Sequence, residues 1–411
     1  MKIPCCCFLL AVLILATMPF AHAATVGGII YHDGNKSARS HYEQSIDETD
    51  VPLPNVGVTL LGSDGEMEAT TGEDGVFSFD DIAPGTYLLL PKLPEYRCTS
   101  ANRSGRIFEA VKEGGVHITA IGDSISVDGD NPFPERIAGY FSSLADTTLD
   151  NLAVGGSTTV EWLPGADTGY FDEQLLPLLP DTDLITITLG VNDPAIYLPE
   201  EPFELMDVIQ AFLDNPEYLL DVPANLYTII NAARDINPDV DVAYVIYPNF
   251  GNSTYMTDEF GLFTPIISMA IDYAFSIVRW SIWHMEDVII ADALGALGDE
   301  LIDDYLVDPV HPGDVGHQHY ADVIFTCLGG VVIDETRLGE QRLYAFDAPD
   351  LVPTPPDDDT DDDTAPDDDS DDDQSDDDTV AEPDDDDSNA DETPADSSDD
   401  GSDDDDGACC G

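Results

Sequence analysis

Apolar and polar positions along this chain change period near residue 115. Before it, runs such as "VGVTLLGSDGEMEATTGEDGVFSFDDIAPGTYLLLP" alternate residue by residue, as in Val56-Gly57-Val58-Thr59-Leu60. They are punctuated by Asp64-Gly65, Asp74-Gly75 and Pro84-Gly85, which predicts short strands joined by hairpins, folded as a small β-sandwich over residues 24–114. Beyond it, compact apolar runs ("HITAIG", "LDNLAV", "DLITITLG", "DVAYVIYP", "DVIIAD") alternate with stretches of helical spacing around 133–146, 218–236 and 264–284. That rhythm predicts a mostly parallel sheet covered on both faces over 115–330, with a trailing segment at 331–350. In such folds reactive groups gather at the carboxyl ends of the strands, and Ser124, Gly156 and Asn192 each stand just past a predicted strand.

The two ends of the chain carry different patterns. "MKIPCCCFLLAVLILATMPFAHA" joins one Lys to a short apolar run and an A-x-A site, so residues 1–23 read as a secretory signal peptide and the mature protein as secreted, extracellular or at the cell surface; an uncleaved anchor is the alternative. From residue 351 to 411 there are 29 acidic residues and no Lys or Arg, a composition that cannot build a core and predicts a disordered tail.

Charge narrows the function classes. The net charge is −72, from 85 acidic and 13 basic residues, and the first 350 residues alone hold 56 acidic against the same 13 basic. So acidic a body disfavours nucleic acid and anionic membranes, whose binding depends on cations meeting phosphates, and salt relieves its self-repulsion. Calcium or other cations at the acidic tail, and association with the cell envelope through Cys409 and Cys410, are the partner expectations that follow. Once the leader is removed, Cys98, Cys327, Cys409 and Cys410 remain, too scattered for a zinc site or a disulfide-stapled fold.

The candidate chemistry lies in four short blocks. "VHITAIGDSISVDG" breaks a buried-looking strand at Gly122-Asp123-Ser124. A serine hydroxyl becomes a nucleophile when a neighbouring base takes its proton and a third group fixes that base. "DPVHP" supplies both, Asp308 to receive the Nδ1 proton of His311 and His311 Nε2 to face Ser124. Donors for a developing oxyanion are the backbone N–H of Ser124, the Gly155-Gly156 pair in "NLAVGGSTT" and the carboxamide of Asn192 in "LGVND". Bland readings stand beside these: Gly-Asp-Ser as a turn, Asn192-Asp193 as a strand-ending turn, and His311, His317 and His319 as a metal cluster with Asp308. There is no G-x-S-x-G, so an α/β-hydrolase nucleophile elbow is not indicated.

In order and spacing, "GDSIS", "NLAVGGST", "LGVND" and "DPVHP" resemble the four blocks of the GDSL or SGNH hydrolases over residues 118–327. The resemblance implies a flavodoxin-like three-layer α/β/α domain with Ser124 as nucleophile, His311 as base and Asp308 as its orienter. Ser124, Gly156 and Asn192 would form the oxyanion hole, with no metal or other cofactor. Families of this kind often have Ser-Gly where this chain has Gly155-Gly156, and the donor is assigned to Gly156. Residues 24–114, with "NVGVTL", "DGVFSF" and "PGTY", resemble prealbumin-like, Cna-B-type modules, which implies a spacer or binding role. Together these imply a secreted ester hydrolase acting on a lipid, a short-chain acyl ester or an acetylated glycan. The alternative is a non-catalytic surface or adhesion protein that binds through its β-module. Residues 195–225, rich in Leu, Phe, Tyr and Pro, are the candidate acyl pocket or lid.

Overall fold

The computed structural model describes residues 24–34, 46–93, 97–98, 105–194, 218–285, 288–297, 302–334 and 339–347. Residues 1–23, the acidic tail with Cys409 and Cys410, and residues 195–217 of the candidate pocket segment lie outside them.

In chain order the first strands are β1 (Ala24–His32), β2 (Val51–Pro52), β3 (Gly57–Gly62), β4 (Gly65–Thr70), β5 (Val76–Ile82), β6 (Gly85–Pro91) and β7 (Arg97–Cys98). Then come β8 (Gly115–Gly122), β9 (Asp146–Asn151), β10 (Leu184–Thr188), β11 (Asp241–Ile246) and β12 (Val288–Asp292), and after them β13 (Gly330–Ile333) and β14 (Gly339–Asp347).

β8 to β12 form one parallel sheet in the order β9-β8-β10-β11-β12. This is the flavodoxin-like order, and its direction reverses between β8 and β10. β11 is buried along its whole length, and the pleat divides its side chains between two layers. Ala243 and Val245 join a core with Ile118, Phe133, Ile137, Phe141 and Phe325. Val242, Tyr244 and Ile246 join the opposite one with Leu226, Ile229, Val278 and Ile282. The first layer holds the helices Phe133–Ser142 and Asp314–Cys327, and the second holds Tyr218–Ile236 and Thr264–Trp283. The domain is thus a three-layer α/β/α structure, as the apolar pattern and the four blocks led one to expect. β9 begins and ends earlier than the run "LDNLAV", because it is an edge strand of largely polar sequence. Leu152 and Val154 of that run instead donate backbone bonds to Ala120 and Gly122 as the chain leaves the sheet.

The N-terminal part is a sandwich of two sheets. One runs β2-β1-β14-β7 with β5 also on β1, and the other runs β13-β6-β3-β4. They share a core of Val26, Ile30, Val58, Leu60, Phe77 and Leu89, closed by Val331 and Ile333. The boundaries drawn from sequence therefore shift. Residues 331–350, read as a trailing segment, contribute β13, antiparallel to β6, and β14, parallel to β1 from Thr25↔Gly339 to His32↔Phe346. Pairings between partners more than 240 residues apart leave no local signal, which is why that segment looked unattached. The helix Gly105–Glu113, placed in the β-module by sequence, packs with Ile107, Phe108 and Val111 into the core beneath the parallel sheet. β3 faces both ways, with Leu60 in the sandwich core and Leu61 in the core of the α/β domain, so the two parts share an apolar contact. The resemblance to prealbumin-like modules rests on the sequence blocks alone.

One variant separates the two views of the C-terminal strands. Val331 is wholly buried in the sandwich core, so Val331→Asp should destabilise the protein by about 3 kcal/mol or more, read as a lower denaturation midpoint. An unattached trailing segment would tolerate the change with no shift.

Candidate active site

The site is assembled at the carboxyl ends of β8 and β10, on either side of the reversal in strand order. β8 ends at Gly122, where an added Cβ would stand 2.0 Å from Thr188 Oγ1, so no larger residue fits between the two strands. Asp123 N donates to Thr188 O at 3.0 Å, and the chain then turns into the short helix Ser124–Val127. Asp123 caps that helix, its carboxylate accepting from Ile125 N at 3.0 Å. The strand end and its cap together leave Ser124, the first helical residue, half-buried at the edge of the sheet.

Asp308 and His311 sit in the loop before helix Asp314–Cys327. The loop is closed by Val307 N donating to His311 O at 2.9 Å and Gly313 N to Tyr305 O at 2.8 Å. Asp308 Oδ1 accepts from the backbone N–H groups of Val310 and His311, at 3.0 and 2.8 Å. Burial acts to raise the Asp308 carboxyl, but those two bonds and the His311 ring outweigh it and hold the group below the usual carboxylate range. An ionised carboxylate can only accept, so His311 Nδ1, 2.8 Å from Asp308 Oδ2, carries the ring proton. Nε2 is then left as an acceptor, 3.0 Å from Ser124 Oγ. The structure thus brings Ser124, His311 and Asp308 into one hydrogen-bonded line across 187 residues of sequence.

The other expected residues border the same spot. A Cβ added at Gly155 would lie 3.9 Å from Ser124 Cβ, so the Gly-Gly loop packs directly against the serine. Gly156 adopts φ +79°, a left-handed backbone that glycine takes without strain. Asn192 Nδ2 donates to Ser157 O at 3.2 Å and stands 3.5 Å from Asp123 Oδ2. His317 and His319 do not join His311: a Cβ at Gly129 would meet His317 Nε2 at 3.1 Å, and His319 packs edge-on against Tyr305. Among the described residues no group of three His, Cys, Asp or Glu side chains is placed to hold a metal.

Sequence reasoning assigned no part to several residues now seen around this line. Asp193, beside Asn192, is buried and accepts from both the backbone N–H and the hydroxyl of Thr159, tying the Gly-Gly loop to the end of β10. Asp128 Oδ2 lies 3.7 Å from His311 Nε2, a second carboxylate on the far side of the ring. Asp123 is fully buried behind the serine, with Tyr247 Oη donating to it at 2.7 Å. Gly-Asp-Ser as a string distinguishes this buried carboxylate from an exposed turn residue in no way.

Burial pushes the Asp123 carboxyl up to about 7, against the opposing bonds from Tyr247 and Ile125. The usual value is 3.8, so between these two pH values the folded protein retains a proton that the unfolded chain releases. The cost to the folded state is therefore absent below the lower value and complete above the higher one, at about 4 kcal/mol. Asp123→Asn keeps an acceptor for Ile125 N and removes the titration. Its stability relative to the wild type should climb steadily from pH 4 to pH 7 in a denaturant series, and a flat difference would show that Asp123 does not titrate there.

Residues 120–319 match the GDSL-like lipase/acylhydrolase family. Among solved structures the chain is similar to a lipase from a goat rumen metagenome, at 17% identity and a TM-score of 0.41, covering 52% of this chain and 98% of that one. It is similar also to an extracellular lipase from Streptomyces rimosus, at 19% identity and a TM-score of 0.39, covering 52% and 99%. An acetylxylan esterase from Geobacillus stearothermophilus is 16% identical with a TM-score of 0.38, covering 53% and 96%. No curated protein matches the sequence. With its parallel sheet in flavodoxin-like order and this family match along the segment that holds Ser124, Asn192 and His311, the chain carries a GDSL-like lipase/acylhydrolase domain and is a carboxylic ester hydrolase.

Proposed function

We propose that the protein is a secreted serine ester hydrolase working through an acyl-enzyme. The observation that carries this reading is the 3.0 Å approach of His311 Nε2 to Ser124 Oγ, with Asp308 on the opposite ring nitrogen. Ser124 Oγ attacks the ester carbonyl carbon as its proton passes to His311 Nε2. The carbonyl electron pair moves onto oxygen, where the backbone N–H groups of Ser124 and Gly156 and the Asn192 carboxamide receive it. Collapse of this intermediate breaks the bond to the alcohol oxygen, which leaves with the proton from His311. Water then repeats the sequence on the acyl-enzyme, its proton going to His311 and finally back to Ser124, and the acid is released. Asp308 holds the ring and balances its transient positive charge without taking the proton.

Secretion rests on residues 1–23, and a spacer or binding role for the sandwich rests on its prealbumin-like blocks. A panel of chromogenic esters of increasing acyl length, together with acetylated glycans, tests activity and substrate class when run against a Ser124→Ala control. Hydrolysis that disappears in the control supports the reading. No hydrolysis of any member supports the surface-protein alternative instead, and equal hydrolysis by the control overturns the acyl-enzyme on Ser124.

A further inference from the structure

The helix Thr264–Trp283 has its polarity reversed along its first half. The side turned to the protein carries Thr264, whose hydroxyl donates to Met256 O, and Ser268, which bonds Asn249 and Asn252. The side turned outward carries Ile266, Met269 and Tyr273, exposed by 55, 67 and 64%, with Trp280 two turns further on and Leu262, 96% exposed, in the 3-10 turn Gly261–Phe263 just before the helix. These positions recur at three, four and seven residues and so form one stripe. The segment Gly261–Trp283 is long and apolar enough to cross a membrane by composition, yet only 11% of its most apolar window is buried. A soluble surface helix places such residues inward, and a contiguous apolar stripe left outward marks a contact with an apolar partner.

The surroundings of the helix say which partner. Its N-terminal end adjoins the segment that braces the catalytic loop: Thr254 N donates to Asp303 at 2.9 Å, and Tyr255 Oη to the Val307 carbonyl at 3.5 Å. Val307 and Val310, which flank Asp308, are themselves exposed. A second copy of the chain is disfavoured by charge, since each copy carries −72. Anionic lipid is disfavoured for the same reason, and the one cation of the helix, Arg279, turns inward to Asp292 at 3.0 Å. Aromatic side chains such as Tyr273 and Trp280 favour the boundary between acyl chains and headgroups.

We propose that the outward face of helix Thr264–Trp283 docks on a zwitterionic or uncharged lipid surface and sets Ser124 at its edge. The substrate class is then an aggregated lipid ester. That last clause rests on the ester hydrolase reading, whereas the docking does not.

The test uses the full-length chain with Ser124→Ala, which binds vesicles without consuming them, and phosphatidylcholine vesicles loaded with sucrose. The protein should sediment with these vesicles and should prefer them to phosphatidylglycerol vesicles. Adding Leu262→Glu, Ile266→Glu and Met269→Glu should weaken partitioning by about tenfold or more. In the otherwise wild-type chain the same triple change should leave turnover of a soluble short-chain ester unaltered, which also shows that the variant folds. No sedimentation, a preference for phosphatidylglycerol, or equal sedimentation of the triple variant overturns the proposal. So does a concentration-dependent dimer that the triple variant abolishes, which would assign the face to a second copy. Vesicle binding by a chain that hydrolyses no soluble ester upholds the docking and overturns the ester hydrolase reading, so the two failures are distinct.

Discussion

Ser124→Ala is expected to lower kcat on a soluble ester by about 10⁶-fold while leaving the fold intact. The loss is large because the serine and the imidazole act as one unit: without Oγ the 3.0 Å contact to His311 Nε2 has nothing to deprotonate, and the acyl-enzyme cannot form. The fold survives because Ser124 is half-buried and its hydroxyl lies on the site rather than in the core. The turn into the helix is held by Asp123, whose carboxylate accepts from Ile125 N, and by Asp128 N donating to Ser124 O. A fluorophosphonate should label the wild-type protein at Ser124 and leave the variant unlabelled. Labelling of the variant at another serine, or retention of turnover, would remove Ser124 from the chemistry.

Asn192→Ala should lower kcat by about 10²- to 10³-fold with little change in KM. Its carboxamide is aimed by one bond, from Nδ2 to Ser157 O at 3.2 Å. The second Nδ2 proton has only a 3.5 Å approach to Asp123, too long to hold it against an oxyanion. A donor of this kind strengthens as the carbonyl becomes tetrahedral, so its loss appears in kcat and kcat/KM together, whereas lost ground-state binding raises KM. The variant also frees the Ser157 carbonyl, at a cost of about 1 kcal/mol in stability. Turnover per folded molecule therefore separates the two roles: an Asn192 that merely closed the turn after β10 would leave it nearly unchanged.

The sequence by itself determined the layers of the α/β domain, because each of its core strands is a short apolar run whose burial is a local property. It also singled out Ser124, Asn192, Asp308 and His311, which the fold brings to one place, since each follows a strand end or closes a loop in a recognisable order. Those are statements about single short segments, within reach of hydrophobic period and turn geometry. Tertiary structure alone decided what depends on contacts between distant segments. The pairing of β14 with β1 and of β13 with β6 turned a trailing segment into part of a sandwich, and parallel pairing carries no turn signal to announce it. The exposed face of helix Thr264–Trp283 was equally hidden, because its apolar residues fit a core helix until packing showed which side turns outward. The character of Asp123 was hidden for an electrostatic reason. Its letter is that of a turn residue, and only the enclosure of its carboxylate by Tyr247, Ile125 and Asn192 behind Ser124 removes the water that would otherwise hold it at the usual carboxyl value.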